Sequence, residues 1–302
     1  MSFDPNRPGL YPGLSYESYL AVVRTNISKL KEMARSPLHY QYRLEHDRET
    51  TALSLGRSAH TAVLEPAKFI SHYALWDERT ESGKVRPRRS KDWDAFCAAN
   101  AGKTIIKADE CNFARAIRDA VHGKRVAEKY LAAGEPEVTM LWDDVETGRP
   151  CKGRLDWVTH VEGVDCLVGL KTARDPAARA FSNQAAKLLY HLQWAFYYDG
   201  YSLLTGKEPR VVELVVESGA PHDVVCNVIP VDVLELGREE YRALLARLAE
   251  CETSKRWPGM AENEVMFELP AYLKRDDDED LDDLELEGAA RSRAVDALNE
   301  GL

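Results

Sequence analysis

The chain has 302 residues, of which 44% are hydrophobic and 30% charged, and its net charge is -10. That composition suits one large globular domain with or without an appendage, and it argues against disorder along the whole length. No apolar run approaches the ~20 residues a membrane span needs, and the start lacks the basic-then-apolar layout of a secretory leader, so a cytoplasmic protein without a membrane partner is expected.

Six single cysteines, Cys97, Cys111, Cys151, Cys166, Cys226 and Cys251, form no CxxC pair and read as reduced structural thiols. Much of the acid lies in one block, Asp276 to Glu287, which leaves the remainder close to neutral. A negative total therefore does not exclude a nucleic-acid partner, although phosphate contacts by Lys and Arg dominate such affinity. The expected organisation is a core over 1–270 and an acidic, flexible tail over 271–302. Lys84 to Lys91 (KVRPRRSK) reads as an exposed basic loop, either simply solvated or in contact with DNA.

In chain order, a Pro/Gly-containing leader precedes a short helix at Ser15 to Leu20, and Ile27, Leu30 and Met33 show helical spacing over 26–33. A helix over Thr51 to Leu64 is stopped by Pro66, with Leu53, Ala59, Ala62 and Val63 available for burial. A longer helical region spans Asp109 to Leu131. The pattern then changes to three strands: Glu137 to Trp142, Cys151 to Thr159 and Cys166 to Lys171, separated by turns at Thr147-Gly148 and Glu162-Gly163. A helix over 177–204, strands at Val211 to Glu217 and Val224 to Ile229, and a helix over Val233 to Glu252 follow. This order predicts an α/β fold with a mixed central sheet flanked by helices.

Phosphodiester hydrolysis needs groups that activate a water, offset charge on phosphorus and stabilise the leaving oxygen. A carboxylate on one strand and a lysine on the next can supply these on one face of a hairpin, because side chains alternate with period two. Asp156 and Lys171 occupy such positions.

The segments GRSAHTAVLEP, CKGRLDWV, GLKTA and QWAFYYDG, in this order, resemble the successive motifs of RecE-type phage and prophage exonucleases of the PD-(D/E)XK superfamily. The resemblance implies a PD-(D/E)XK nuclease-like core and a metal-dependent exodeoxyribonuclease acting on double-stranded DNA ends in recombination. It implies His60, Asp156 and the main-chain carbonyl of Leu170 as metal ligands. Lys171, Asp156, Gln193 and Tyr197 are implied as catalytic residues, with Mg²⁺ as cofactor and Mn²⁺ able to substitute. A single-strand annealing protein as partner and a homo-oligomeric ring are implied as well.

Ser28, Lys31, Arg35 and Ser36 offer hydroxyls and positive charge suited to a terminal 5′-phosphate, and Lys152 and Arg154 alternate with Asp156 on one strand face, where they could meet phosphates or pair with Glu137. Glu137 itself is either a further carboxylate near the metal or a strand-end residue. The sequence departs from the family pattern at Gly169, where an acid two residues before the lysine is expected. Three readings of Gly169 follow: a degenerate nuclease that still binds DNA as a silent accessory module, an introduced substitution, or a rerouted ligand. The chain as written is expected to digest linear duplex DNA very slowly with Mg²⁺, and Gly169→Asp to raise the rate by at least about two orders of magnitude.

Overall fold

The computed structural model describes residues 3–46 and 51–269. The leader forms strand β1 (Gly9–Tyr11) and helix α1 (Tyr16–Ala21), whose first turn is capped by the Ser15 hydroxyl accepting from the Ser18 N–H. Strand β2 (Thr25–Asn26) leads into α2 (Ile27–Leu30) and a 3₁₀ turn (Lys31–Ala34). Ile27, Leu30 and Met33 are all buried, so the apolar spacing holds although the α-helix tightens halfway. Ser36 caps α3 (Pro37–Glu45).

Helix α4 (Thr51–Leu64) ends where expected, but Pro66 also begins α5 (Pro66–His72), since proline is tolerated in a first turn that needs no N–H partner. Ala59, Ala62 and Val63 are buried, whereas Leu53 is exposed, contrary to expectation. Strand β3 (Tyr73–Trp76), helix α6 (Lys91–Ala99) and strand β4 (Thr104–Lys107) were not predicted; β3 and β4 pair in parallel. The basic stretch is loop up to the Ser90 cap of α6, with Arg86 paired to Asp92. The long helical region divides at Lys124 into α7 (Ala108–Gly123) and α8 (Arg125–Leu131).

Strands β5 (Glu135–Asp143), β6 (Pro150–Val161) and β7 (Val164–Ala173) form the expected meander. The single helix expected over 177–204 is two, α9 (Ala178–Lys187) and α10 (Tyr190–Thr205), because Leu189 adopts a left-handed φ of 53°. Strands β8 (Arg210–Glu217) and β9 (Val224–Val228) and helix α11 (Val231–Ser254) complete the fold.

The main sheet runs β1-β5-β6-β7-β8-β9, with β2 alongside β6. β7 and β8 are parallel, joined across α9 and α10, and the other neighbours on this path are antiparallel. A mixed sheet between helical layers was the expected architecture. One face packs Val168, Leu170, Val212, Leu214 and Val216 against side chains of α4, α7 and α8. On the other, Val211 and Val215 meet Phe181 and Trp194. Burial on both faces explains why β8 reads as an almost continuous apolar run.

Residues 1–260 form one compact unit, and residues 261–269, in a second unit, carry no helix or strand. The acidic block Asp276 to Glu287 lies outside the described residues. Among the described residues, no helix is long and apolar enough to cross a membrane.

A polar clasp ties the β6–β7 turn to α10. The Asp165 carboxylate accepts from Lys207 Nζ at 2.9 Å, lies 2.7 Å from His160 Nδ1 and accepts from the Tyr201 hydroxyl at 2.9 Å. These bonds, Lys207 foremost, hold its carboxyl down at about 2. The folded pKa lies below the unfolded value near ~3.9, so the clasp stabilises above that value and is lost as pH falls through about 2. Asp165→Asn should flatten the urea-stability curve of the protein between those limits; an acid limb of unchanged slope would show that the clasp is not linked to folding.

Candidate active site

The site arises where two strands part. Pairing of β6 with β7 runs from Val161–Val164 to Trp157–Val168 and stops, while β6 continues along β5 and β7 along β8. Asp156 stands at the divergence, and its Oδ2 accepts from the Leu170 N–H at 3.0 Å. The carboxylate is thus fixed by backbone that lost its ladder partner.

His60 on α4 enters this gap. Its Nε2 lies 2.5 Å from the Leu170 carbonyl, which can only accept, so Nε2 carries the proton and Nδ1, 3.8 Å from Asp156 Oδ2, is left facing the carboxylate. A donated second N–H is how metal-binding histidines are commonly oriented. Leu170, expected as a ligand through its carbonyl, spends that carbonyl on His60 in this arrangement.

Glu137 lies level with Asp156, between the pairs Pro136–Trp157 and Val138–Leu155. It holds a left-handed φ of 53°, uncommon for a non-glycine residue and frequent at functional sites. Ligand atoms of His60, Glu137 and Asp156 all fall within 4.8 Å of one another. Of the two readings open for Glu137, the structure places it among the site carboxylates. Burial, and then the nearby Asp156, raise its pKa, partly offset by Arg154. Asp156 goes the other way: burial opposes its charge, but Lys171, His60 and the Leu170 N–H together bring it below the ordinary carboxylate value.

Lys171 on β7 places Nζ 3.7 Å from Asp156 Oδ2 and 3.6 Å from Glu213 Oε1, and 5.6 Å from the centre of the Tyr190 ring. Burial works against its ammonium, yet Glu213 and Asp156 hold it firmly charged. His60, Asp156 and Lys171, separated by up to 111 positions in the numbering, thus converge on one cleft.

Glu213 was not anticipated. It is the register partner of Gly169 across the parallel β7–β8 pair and is 1% exposed. Its Oε2 accepts from Trp194 Nε1 at 2.5 Å, whereas Oε1 has no hydrogen-bond partner. A Cβ placed on Gly169 would lie 2.4 Å from Glu213 Oε1. The space at position 169 already holds a carboxylate, so an aspartate introduced there would have to displace the end of the Glu213 side chain.

Gln193 and Tyr197, one turn apart on α10, line with Asp156, Lys171 and Glu213 a cavity of about 30 Å³, room for a single water. Lys31 reaches the same place, with Nζ 3.5 Å from Gln193 Oε1. Burial and the neighbouring Lys171 pull its ammonium down to about 7.

The remaining expected DNA contacts fare differently. Ser28 is exposed and Arg35 lies 3.6 Å from Glu32, both at the surface. Ser36 is buried and committed to the His39 ring and the start of α3, so it is not available to a phosphate. Lys152 is buried too, its ammonium donating to the carbonyls of Tyr19 and Val22 at the end of α1, so the expectation that it meets DNA is corrected. Arg154 pairs with Glu137 and donates to the Leu14 carbonyl, which commits it to the cleft wall and not to phosphate. The face was read correctly for both residues; the leader covers it.

Two diverging strands that present carboxylates and a lysine in one cleft, within a mixed sheet between helices, define the PD-(D/E)XK nuclease-like fold. The chain belongs to the family described as a PDDEXK-like domain of unknown function (DUF3799), whose model matches residues 26–269. Its fold is similar to the crystal structure of a "Putative exonuclease" from Eubacterium rectale, with a TM-score of 0.58 and 14% identity over 86% of this chain and 96% of that one. The structure of SSO0001 shares 14% identity over 81% of this chain and 84% of its own, with a TM-score of 0.33. No curated protein matches the chain. Family and fold together support a nuclease.

The donors fit a divalent cation. Ligands on one ion with bonds of ~2.1 Å lie about 3–4 Å apart, and the His60, Glu137 and Asp156 atoms need only contract slightly from their present spread. Two carboxylate oxygens suit Mg²⁺; the imidazole nitrogen favours Mn²⁺ more.

Proposed function

We propose that the protein is a metal-dependent exodeoxyribonuclease of the RecE type, acting on double-stranded DNA ends in phage-type recombination. The observation that carries this reading is the convergence of His60, Glu137, Asp156 and Lys171 on the cleft between β6 and β7. His60, Glu137 and Asp156 hold the cation, Mg²⁺ or Mn²⁺ in its place. When bound, such an ion lowers the pKa of a coordinated water and offsets charge on phosphorus.

Lys171, kept charged between two carboxylates, orients the attacking water and stabilises charge on the phosphate oxygens. Gln193 and Tyr197 hold the scissile strand against the hairpin, and Lys31, turned into the cleft beside Gln193, takes a phosphate. Ser28 and Arg35, both at the surface, add contacts to the same backbone. A homo-oligomeric ring around duplex DNA and a single-strand annealing partner belong to the same reading. The silent DNA-binding alternative drew its support from Gly169, and a carboxylate at that place weakens it.

The test is digestion of an end-labelled linear duplex beside a covalently closed circle of the same sequence, with Mg²⁺ or Mn²⁺. Progressive shortening of the linear form alone, abolished by chelator, is expected. Equal cutting of the circle would make the protein an endonuclease, and no cutting with either metal would favour the silent module.

A further inference from the structure

We propose that Glu213 is the acid this metal centre lacks at position 169: the carboxylate is delivered from β8 across the strand pair, and residue 169 is glycine so as to receive it. This rests on the nuclease reading for its chemistry, but the geometry is independent of it. Gly169 and Glu213 are directly paired. In an aspartate, a carboxylate oxygen lies ~2.4 Å from its own Cβ by standard bond lengths. Glu213 Oε1 lies 2.4 Å from where a Cβ of residue 169 would be, and the Glu213 carboxyl carbon 2.8 Å from it. The oxygen therefore sits at about the reach of an aspartate at 169. Glutamate has one methylene more than aspartate, which suits a side chain leaning in from a neighbouring strand ~4.8 Å away.

Burial argues for a purpose. Glu213 is the lone acid inside a strand of valines and leucine, fully enclosed, where a further apolar residue would pack without the desolvation cost. Trp194 takes one oxygen and could take it equally from an amide. The other oxygen is left without a hydrogen bond, 3.6 Å from Lys171, at the cavity shared with Asp156 and Gln193. That oxygen faces the reacting groups, with the Lys171 ammonium as its charged neighbour.

The two positions should then be exchangeable as a pair and not singly. Four full-length variants decide this: Gly169→Asp, Glu213→Ala, Glu213→Gln, and Gly169→Asp combined with Glu213→Ala. Mn²⁺ alone is titrated into each by calorimetry, without DNA, and end digestion is measured in parallel. Losses in orienting groups around a metal commonly reduce affinity ~10–100-fold. Glu213→Gln and Glu213→Ala should each weaken Mn²⁺ by about tenfold or more. Gly169→Asp should weaken it too, since two carboxylates would contest one place. The double variant should recover to within about threefold of the unmodified chain.

Wild-type Mn²⁺ affinity in Glu213→Gln, or a double variant binding no better than Glu213→Ala, overturns the proposal and leaves Glu213 a packing residue. Should Glu213→Ala fail to fold, the Gln variant, which keeps shape and the Trp194 bond, decides alone. If the Mn²⁺ pattern holds while no protein in the set cuts DNA, the exchange stands and the nuclease reading falls.

Discussion

Asp156→Ala is expected to slow DNA-end digestion by a factor of ~10²–10³ or more and to abolish Mn²⁺ binding at the same time, since removal of a group that fixes charge in a transition state commonly costs that much. Asp156 is the hub of the cleft: it meets His60, Lys171 and the Leu170 N–H, and stands level with Glu137. Lys171→Met, which keeps most of the side-chain volume, should lower the rate comparably while leaving metal binding largely in place, because Lys171 offers no ligand. Single-turnover digestion alongside calorimetry separates the two roles. An Asp156→Ala protein within tenfold of the unmodified rate would place the chemistry elsewhere. A Lys171→Met protein that loses the metal as well would mean that the ammonium, and not the carboxylates, organises the site.

Gly237→Ala should destabilise the fold by about 3 kcal/mol or more, the upper range for forcing atoms into a packed interior. Helices α10 and α11 approach so closely that a Cβ at 237 would lie 2.2 Å from the His191 carbonyl oxygen and 2.6 Å from its carbon. Both are backbone atoms, so no rotamer can yield, and one helix must shift. The shift would reach the site, since α10 carries Gln193, Trp194 and Tyr197. Urea unfolding should show a clearly lower midpoint. An unchanged midpoint would mean that the helices lie further apart than this packing requires.

Much of this architecture was legible in the sequence because its signals are local. The β5–β6–β7 meander shows alternation between glycine-containing turns, and the helices after Ser15 and before Pro66 carry their own start and stop chemistry. What escaped was non-local or lacked a breaker residue. Leu189 interrupts a helix with neither glycine nor proline to announce it. Strands β3 and β4 pair in parallel at about thirty residues' separation. His60, Asp156 and Lys171 could be placed because their motifs run along single elements. Glu213 acts on a position 44 residues earlier, through a strand register that no period along either strand encodes. Its one sequence signal is the acid inside VVELVVE. Lys152 and Arg154 show the reverse case, with the face read correctly and the chain segment that covers it unseen.

The balance of charge around the cleft sets how its ligands must behave toward one another. Glu137, Asp156 and Glu213 are matched there by Arg154, Lys171 and Lys31, the last titrating near neutrality. A divalent ion tips this near-even ledger positive, and a phosphate group returns it toward zero. If the proposed function holds, thermodynamic linkage would make the ion and the phosphate each raise the other's affinity by the same factor. On the nuclease reading, a cleft so balanced would grip its metal loosely when alone, and more tightly once a phosphate is in place.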